Sequence, residues 1–536
     1  MIRPLSKSKL IAYRQCPKRL WLEVHQPDLR EDSASTQAIF ASGHKVGELA
    51  QQIFDPEGKG VLIDMQALGI AGAFTKTSEL VNTKPALPIF EAGFSADKDG
   101  NGGAIAFADI LLPNTVSDKS SSDKPSWQMI EVKSSTSVKD YYRDDAAIQF
   151  HVATGSGVSL ASIAVAVVDN KWIYQGDSNY NGLLKTEDVT QESMAREAEV
   201  REWIKQAQGI VRLNAAPERD TGDHCSQPFP CGFYGHCSIE DGTASNDVEH
   251  PIRWLPNAHS RALKALLIDK TSAPKSMLDV PDDHLSDIQL RVKKAHKSGM
   301  PYIDQGGLNR ALKPHLPFKG KSAYFLDFET VMQAVPIWKG TRPYQTILYQ
   351  FSCHVEKSDG TMIHHEFLDT IGNDPRQLFA ERLIDALGEK SGGNNGPIFM
   401  YSSYERTQLR SLAEALPKHR AAILRIINRL VDLLPIVRDN YYHPAQQGSW
   451  SIKSVLPALF GNDDQDLSYE KLEEEGAVAN GGAAQAAYME AIDPATSNER
   501  KDELHRQLLV YCKLDTYAMV RLWQYFVEMS ALKLKY

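Results

Sequence analysis

Asp109 lies in the apolar run AFADILL, and after a polar loop the run WQMIEVKSS carries Glu131 and Lys133. Both runs read as strands, and a period of two puts Glu131 and Lys133 on the same face. Two carboxylates with a lysine beside them form a site for a divalent cation. The acids hold magnesium or manganese, and the lysine orients or helps deprotonate a water that attacks a phosphate. That is the chemistry of phosphodiester hydrolysis. A second set lies far downstream. SAYFLDFET is a short aromatic-rich strand in which Asp327 and Glu329 alternate onto one face. Carboxylates buried there need a partner, and a metal ion is the obvious one. PIFMYSSYERTQLRSLAEALP reads as strand, turn and helix, with Glu405 near the helix start. LLVYCKLDTYAMVRLWQYF reads as an amphipathic helix whose Tyr511 and Asp515, four apart, share a face. Asp432 in NRLVDLLPIV either supports these acids or is a helix surface charge. Lys453 in PAQQGSWSIKSVLPALFG either contacts a nucleic-acid phosphate or has a structural role.

Six cysteines are too few to scaffold a chain of 536 residues with disulfides. Three of them, Cys225, Cys231 and Cys237, stand at equal spacing in HCSQPFPCGFYGHC, while Cys16 lies far upstream in YRQCPKRLW. In a reducing compartment such clustering suggests a metal more than a bridge. Cys353 and Cys512 stand alone.

The elements that must position these residues fall into more than one domain, because a chain of this length is expected to hold two to four at roughly 150 residues each. Hydrophobic residues at 42% and charged residues at 24% are ordinary globular usage. Turn-rich stretches around 113–126, 388–397 and 492–500 read as loops within domains. Polar, glycine-containing sequence near 245 and an abrupt change to a buried strand near 320 mark boundaries. The expected plan is therefore a module at 1–244, a helical connector at 245–319 and a second module at 320–536. No internal repeat is present. The triplet Gly320, Lys321, Ser322 is not a P-loop, since His315 stands where the earlier glycine is required and the triplet precedes a strand. A formal net charge of −9 argues against a general basic coat for nucleic acid, although metal-dependent nucleases with clustered carboxylates are often acidic. No run approaches the ~18 apolar residues of a membrane span, and the N-terminal residues show no leader pattern, so a cytoplasmic protein without a membrane partner is expected.

Asp109 followed by the E-x-K of Glu131 and Lys133 resembles the PD-(D/E)XK nuclease superfamily. His44 in SGHKVGELAQ, Glu91 in IFEAGFS and Gln149 in YRDDAAIQFHVATG complete an order similar to the His, Glu, Asp, E-x-K and Gln motifs of its RecB-type branch. The resemblance implies His44, Glu91, Asp109 and Glu131 as metal ligands, Lys133 as a catalytic group and Gln149 at the nucleic acid. A subset of RecB-like nucleases carries one cysteine before these motifs and three after them, ligating a four-iron cluster. Cys16 with Cys225, Cys231 and Cys237 is similar, with five-and-five spacing in place of the more usual two-and-five. The implied 4Fe–4S cluster is structural, clipping distant ends together. Zinc would accept the same thiolates, with His224 or His236 able to replace one.

The downstream set, D-x-E at Asp327 and Glu329, a third acid at Glu405 and Y-x-x-x-D at Tyr511 and Asp515, resembles the DEDDy branch of the RNase H-like exonucleases. The departure is Glu405, where that branch most often has Asp. The resemblance implies two magnesium or manganese ions about 4 Å apart, a tyrosine that orients water, and removal of nucleotides from 3′ ends. The pairing of the two halves is similar to a family of uncharacterised bacterial proteins with a RecB-like, cysteine-containing nuclease before an RNase H-like domain. An α/β fold and a metal-dependent nuclease with two active sites follow as expectations. Its substrate is expected to be single-stranded DNA or DNA ends, in repair, recombination or defence, settings in which a helicase or another repair or defence protein is a compatible partner. The rivals are an RNA 3′–5′ exonuclease and a nucleic-acid-binding adaptor with one or both sites inactive.

Overall fold

The computed structural model describes residues 3–32, 34–96, 103–114, 125–241, 248–258, 261–266, 274–316, 321–388, 396–461, 469–474 and 477–530. Most of the turn-rich stretches around 113–126 and 388–397, and both expected boundaries near 245 and 320, lie outside the described residues. The chain is a mixed α/β protein in two units, Met1–Ser245 with Gln333–Gln345, and Asn246–Met332 with Thr346–Tyr536. Among the described residues no helix is long and apolar enough to cross a membrane.

The first unit runs β1 (Leu5–Ser6), α1 (Lys7–Gln15), α2 (Pro17–His25), α3 (Ala34–Phe54), β2 (Val61–Leu62), α4 (Met65–Leu80), β3 (Ile89–Ser95), β4 (Ala104–Pro113), β5 (Trp127–Lys133), α5 (Asp140–Gly155), β6 (Leu160–Val168), β7 (Leu184–Asp188), α6 (Thr190–Ala195), α7 (Glu197–Val211) and α8 (Tyr234–Glu240). Strands β2 to β7 lie side by side in chain order, and β1 joins β4 in parallel. β3, β4 and β5 are antiparallel neighbours, whereas β5 and β6 are parallel. Parallel neighbours need a crossover, which α5 supplies. Alternation then sorts β5. Trp127 and Met129 share a core with Ile148 and Val152 of α5, while Ile130 packs with Phe90, Ile110 and Ala50 of α3. Glu131 and Lys133, in step with Met129, face α5. Helix α1 starts where the Ser6 hydroxyl accepts from the Lys9 N–H, and it stops at Cys16 because Pro17 opens α2.

The second unit runs α9 (Arg261–Leu266), α10 (Asp287–Ser298), β8 (Tyr302–Ile303), α11 (Gln305–Leu312), β9 (Ala323–Val331), β10 (Ile347–Glu356), β11 (Met362–Leu368), α12 (Arg376–Ala386), β12 (Ile398–Met400), α13 (Tyr404–Ala415), α14 (Arg420–Arg429), β13 (Leu430–Asp432), α15 (Leu433–Asn440), β14 (Tyr441–Tyr442), α16 (Ile452–Phe460), α17 (Tyr469–Glu474), α18 (Gly481–Ile492) and α19 (Asn498–Met529). Its main sheet has the order β11-β10-β9-β12-β13. The first three strands in that order are antiparallel, and β9, β12 and β13 are parallel. On β9, Leu326 and Phe328 pack against Phe379 and Leu383 of α12, while Phe325 joins Phe399 and Trp523 of α19 on the other face. Asp327 and Glu329 are in step with Phe325 and therefore face α19.

The segment expected to be a connector is no separate body. Leu255, Val280, Val292 and Leu308 share a core with Phe325 and Trp523, and β8 pairs with β14. Short helices with apolar residues along one stripe bury that stripe only against a neighbour, and the second sheet provides it.

Candidate active sites

In the second unit a cavity of about 540 Å³ is lined by Asp327, Glu329, Glu405, Lys453, Tyr511 and Asp515 together with the aromatic rings of Tyr401, Tyr404 and Trp450. Strand β9 and helix α19 supply Asp327, Glu329 and Asp515, and the first turn of α13 supplies Glu405. Ligand atoms of Asp327, Glu329 and Asp515 all lie within 4.8 Å of one another, the one such group among the described residues. Carboxylates at that separation repel, and burial removes the water that would screen them. Burial, reinforced by the charges of Asp515, Glu405 and Glu329, holds Asp327 well above the usual carboxylate range. Burial and Asp515 also raise Glu329, against the pull of Lys453. Burial raises Asp515 against hydrogen bonds from the Tyr469 and Tyr511 hydroxyls and the charge of Lys453. A divalent cation relieves all three at once, so the donor set fits magnesium or manganese.

Glu405 is buried in the same cavity and raised chiefly by burial, but it stands outside the close group and accepts from the Ser402 hydroxyl at 3.0 Å. Lys453 sits 4.5 Å from the Tyr469 ring centroid and 5.2 Å from that of Tyr511, and its ammonium donates to the Ala479 carbonyl at 2.7 Å. Asp432 caps α15 by accepting from the Leu434 N–H at 3.0 Å, and its charge bears on Glu405.

In the first unit the ladder between β4 and β5 closes at Ile110↔Ile130. One residue further on, the Asp109 carboxylate takes the Val132 N–H at 2.7 Å, and burial raises Asp109 against the charges of Lys7 and Lys133. Strand β3 pairs Phe90 with Ile110 and Ala92 with Ala108, which sets Glu91 across from Asp109. Glu91 has a φ of 56°, a conformation that costs a non-glycine residue about 1–3 kcal/mol and collects at functional sites. Burial also raises the Glu91 carboxyl.

Glu131 is almost wholly buried, and both of its oxygens are engaged. Oε1 accepts from Lys133 at 2.6 Å and from Lys7 at 2.7 Å, and Oε2 accepts from the Gln149 amide at 2.7 Å. Lys133 reaches Asp145 at 2.6 Å as well, and Lys7 lies 3.8 Å from that carboxylate. Burial works against both ammonium charges, but Asp145 and Glu131 more than offset it and hold both lysines above their ordinary range. The Gln149 carbonyl oxygen is buried without a hydrogen-bond partner among the described residues. An unsatisfied buried acceptor costs about 1–3 kcal/mol, which fits a site built to receive a further donor.

Two expectations for this site need correction. Gln149, expected at the nucleic acid, is fully buried and instead fixes Glu131. Its helix turns that face inward because Ala146, Ile148, Val152 and Ala153 must enter the core. His44, expected as a metal ligand, is exposed on α3, whose inward face carries Val46 and Ala50. Lys7, Asp145 and Tyr469 were not anticipated. Asp145 had a signal, since it precedes Gln149 by four residues on one helix face; Lys7 and Tyr469 had none.

Cys16, Cys225, Cys231 and Cys237 line one pocket with Lys18, Arg19, Arg219 and His224. The thiols feel one another's charge, and burial raises those of Cys225, Cys231 and Cys237. Buried Gln15, one residue before Cys16, holds the loop by donating to the carbonyls of His224 and Phe229, each at 2.8 Å, and of Gln227 at 3.3 Å. Among the described residues no three thiols lie within 4.8 Å of one another. Tetrahedral zinc with Zn–S near 2.3 Å would draw the sulfur atoms to roughly 3.8 Å from one another.

The family model described as a domain of unknown function, DUF2779, matches residues 324–451, a stretch that contains Asp327, Glu329 and Glu405 but ends before Tyr511 and Asp515. Uncharacterized protein MG366 of Mycoplasma genitalium is 23% identical over 213 residues, 38% of this chain and 31% of that protein. The match thus spans about a third of the relative's length.

Proposed function

We propose that this protein is a metal-dependent nuclease with two active sites that acts on DNA, on single-stranded regions or ends. The observation that carries the reading is the buried group of Asp327, Glu329 and Asp515, with Glu405, Tyr511 and Lys453 around one cavity. The sheet order supports an RNase H-like DEDDy exonuclease for the second unit: three antiparallel strands lead into two parallel ones, and the D-x-E lies on the central strand. In the first unit, three antiparallel strands followed by a helical crossover to a parallel fourth support a PD-(D/E)XK nuclease.

Asp327, Glu329 and Asp515 would hold magnesium or manganese in the second unit, and Asp109, Glu131 and Glu91 in the first. The ions supply charge for the developing oxyanion and lower the pKa of water. The chain's own residues do the rest. Tyr511 and Tyr469 hold Asp515 in place, Lys453 offsets the negative cavity that a phosphate must approach, and Lys133 is fixed by Glu131 and Asp145 where a nucleophile needs a cation. In this reading Cys16, Cys225, Cys231 and Cys237 hold a 4Fe–4S cluster that ties α1 and α2 to the end of the module.

The test is degradation of end-labelled single-stranded DNA and RNA with manganese, comparing the unaltered protein with Lys133→Ala and Asp327→Asn. DNA degradation in which the two substitutions remove different products is the expected result. Degradation of RNA alone would move the substrate to RNA. No cleavage of either polymer by metal-replete protein would end the enzyme reading and leave a binding protein.

A further inference from the structure

We propose that Lys7 grips the backbone phosphate of the strand cut at the first site, a role that rests on the nuclease reading of that site. Lys7 and Lys133 share a single carboxylate oxygen, Glu131 Oε1, but they are not held alike. Lys133 has two short contacts, 2.6 Å to Glu131 and 2.6 Å to Asp145, and lies 5.3 Å from the Tyr142 ring centroid. Lys7 has one short contact, 2.7 Å to Glu131, and a long one of 3.8 Å to Asp145. The other Glu131 oxygen belongs to Gln149. Two ammonium groups thus compete for that one oxygen. Lys133 is held by residues of its own strand and the adjoining helix, and it bridges Glu131 to Asp145 whether or not Lys7 stays.

Lys7 is the more loosely held of the two cations, and it comes from elsewhere in the fold. It is the first residue of α1, brought to the site by the pairing of Leu5 with Ala104 and Ser6 with Ile105 on β4. Its side chain is 23% exposed and that of Lys133 20%, so exposure does not separate the two lysines; the number of short contacts does. An ammonium with a single short contact beside a carboxylate site suits a phosphodiester, which a lysine meets without fixed geometry. Lys133 is the anchored cation, and Lys7 is the one free to exchange a carboxylate for a phosphate.

The experiment uses the full chain carrying Asp327→Asn, which silences the second site, with Lys7→Gln and Lys7→Arg added separately. Three quantities are read: KM and kcat on a single-stranded DNA oligonucleotide with manganese, the salt dependence of oligonucleotide binding, and manganese binding by the protein alone. Lys7→Gln is expected to raise KM about tenfold with a smaller change in kcat, and to flatten the plot of log affinity against log salt by roughly 0.7, the contribution of one phosphate contact on a single strand. Lys7→Arg should restore most of both, and manganese binding should be kept or tightened in Lys7→Gln because a competing cation is gone. An unchanged salt slope overturns the proposal. So does weakened manganese binding with KM intact, which would make Lys7 a brace for the acids. If Asp327→Asn protein cuts nothing, the nuclease reading of the first site fails separately, and the salt slope alone then decides for or against the phosphate contact.

Discussion

Manganese affinity at the Asp327 site is expected to climb steeply with pH. Burial and mutual repulsion push Glu329 up to about 8, Glu405 up to about 7 and Asp515 up to about 6, with Asp327 also well above its ordinary range. Near neutrality the metal-free cluster therefore keeps about two protons that a divalent cation must displace, and the slope of log affinity against pH equals the number displaced. Between about pH 6 and pH 7 the affinity should rise by roughly two orders of magnitude, and less steeply above pH 8. Stability moves the opposite way without metal. Carboxyls whose folded pKa lies above the unfolded value bind more protons in the native state, so their contribution is present at low pH and is lost as pH rises from about 4 to about 8. Manganese at a hundred times its dissociation constant returns about 2.7 kcal/mol. Calorimetric titration of manganese in buffers of different ionisation enthalpy counts the protons released, and thermal unfolding follows stability, with Asp327→Asn as the control. A manganese affinity that does not change between pH 6 and pH 8 would refute the reasoning, because the acids would then be ionised, and so separated, in the metal-free protein.

Lys133→Ala leaves Glu131 with Lys7 and Gln149, so the fold should persist while cleavage at the first site falls by about 10²–10³, the usual worth of one group that stabilises charge in the transition state; end-labelled DNA in an Asp327→Asn background reports it. Gln149→Leu strips Glu131 Oε2 of its buried donor and should cost about 1–3 kcal/mol in a urea melt, with Gln149→Glu worse because it sets a second carboxyl against the first. Gln15→Ala removes three hydrogen bonds that hold the cysteine loop, so colour absorbing near ~400 nm in anaerobically purified protein should bleach faster in air; colourless protein with stoichiometric zinc would contradict the iron assignment.

Much of each candidate site could be read along the chain, because spacing fixes which residues share a face of one element. Period two set Glu131 beside Lys133 and Asp327 beside Glu329, and a step of four set Tyr511 beside Asp515. What touches those faces from another element is another matter. Lys7 meets Glu131 only because β1 pairs with β4, some hundred residues away in sequence. Tyr469 meets Asp515 through the packing around α19, and the helices after 246 join the second core because the sheet leaves a face for them. Gln149 shows the same divide within one residue: its place on a helix after Lys133 was legible, but whether that face looked to solvent or to the acid depended on which side of the sheet α5 crossed. Local sequence thus determined the chemistry carried by each strand and helix, and the tertiary contacts between elements decided which charges meet, because a contact between distant residues depends on topology and no period encodes it.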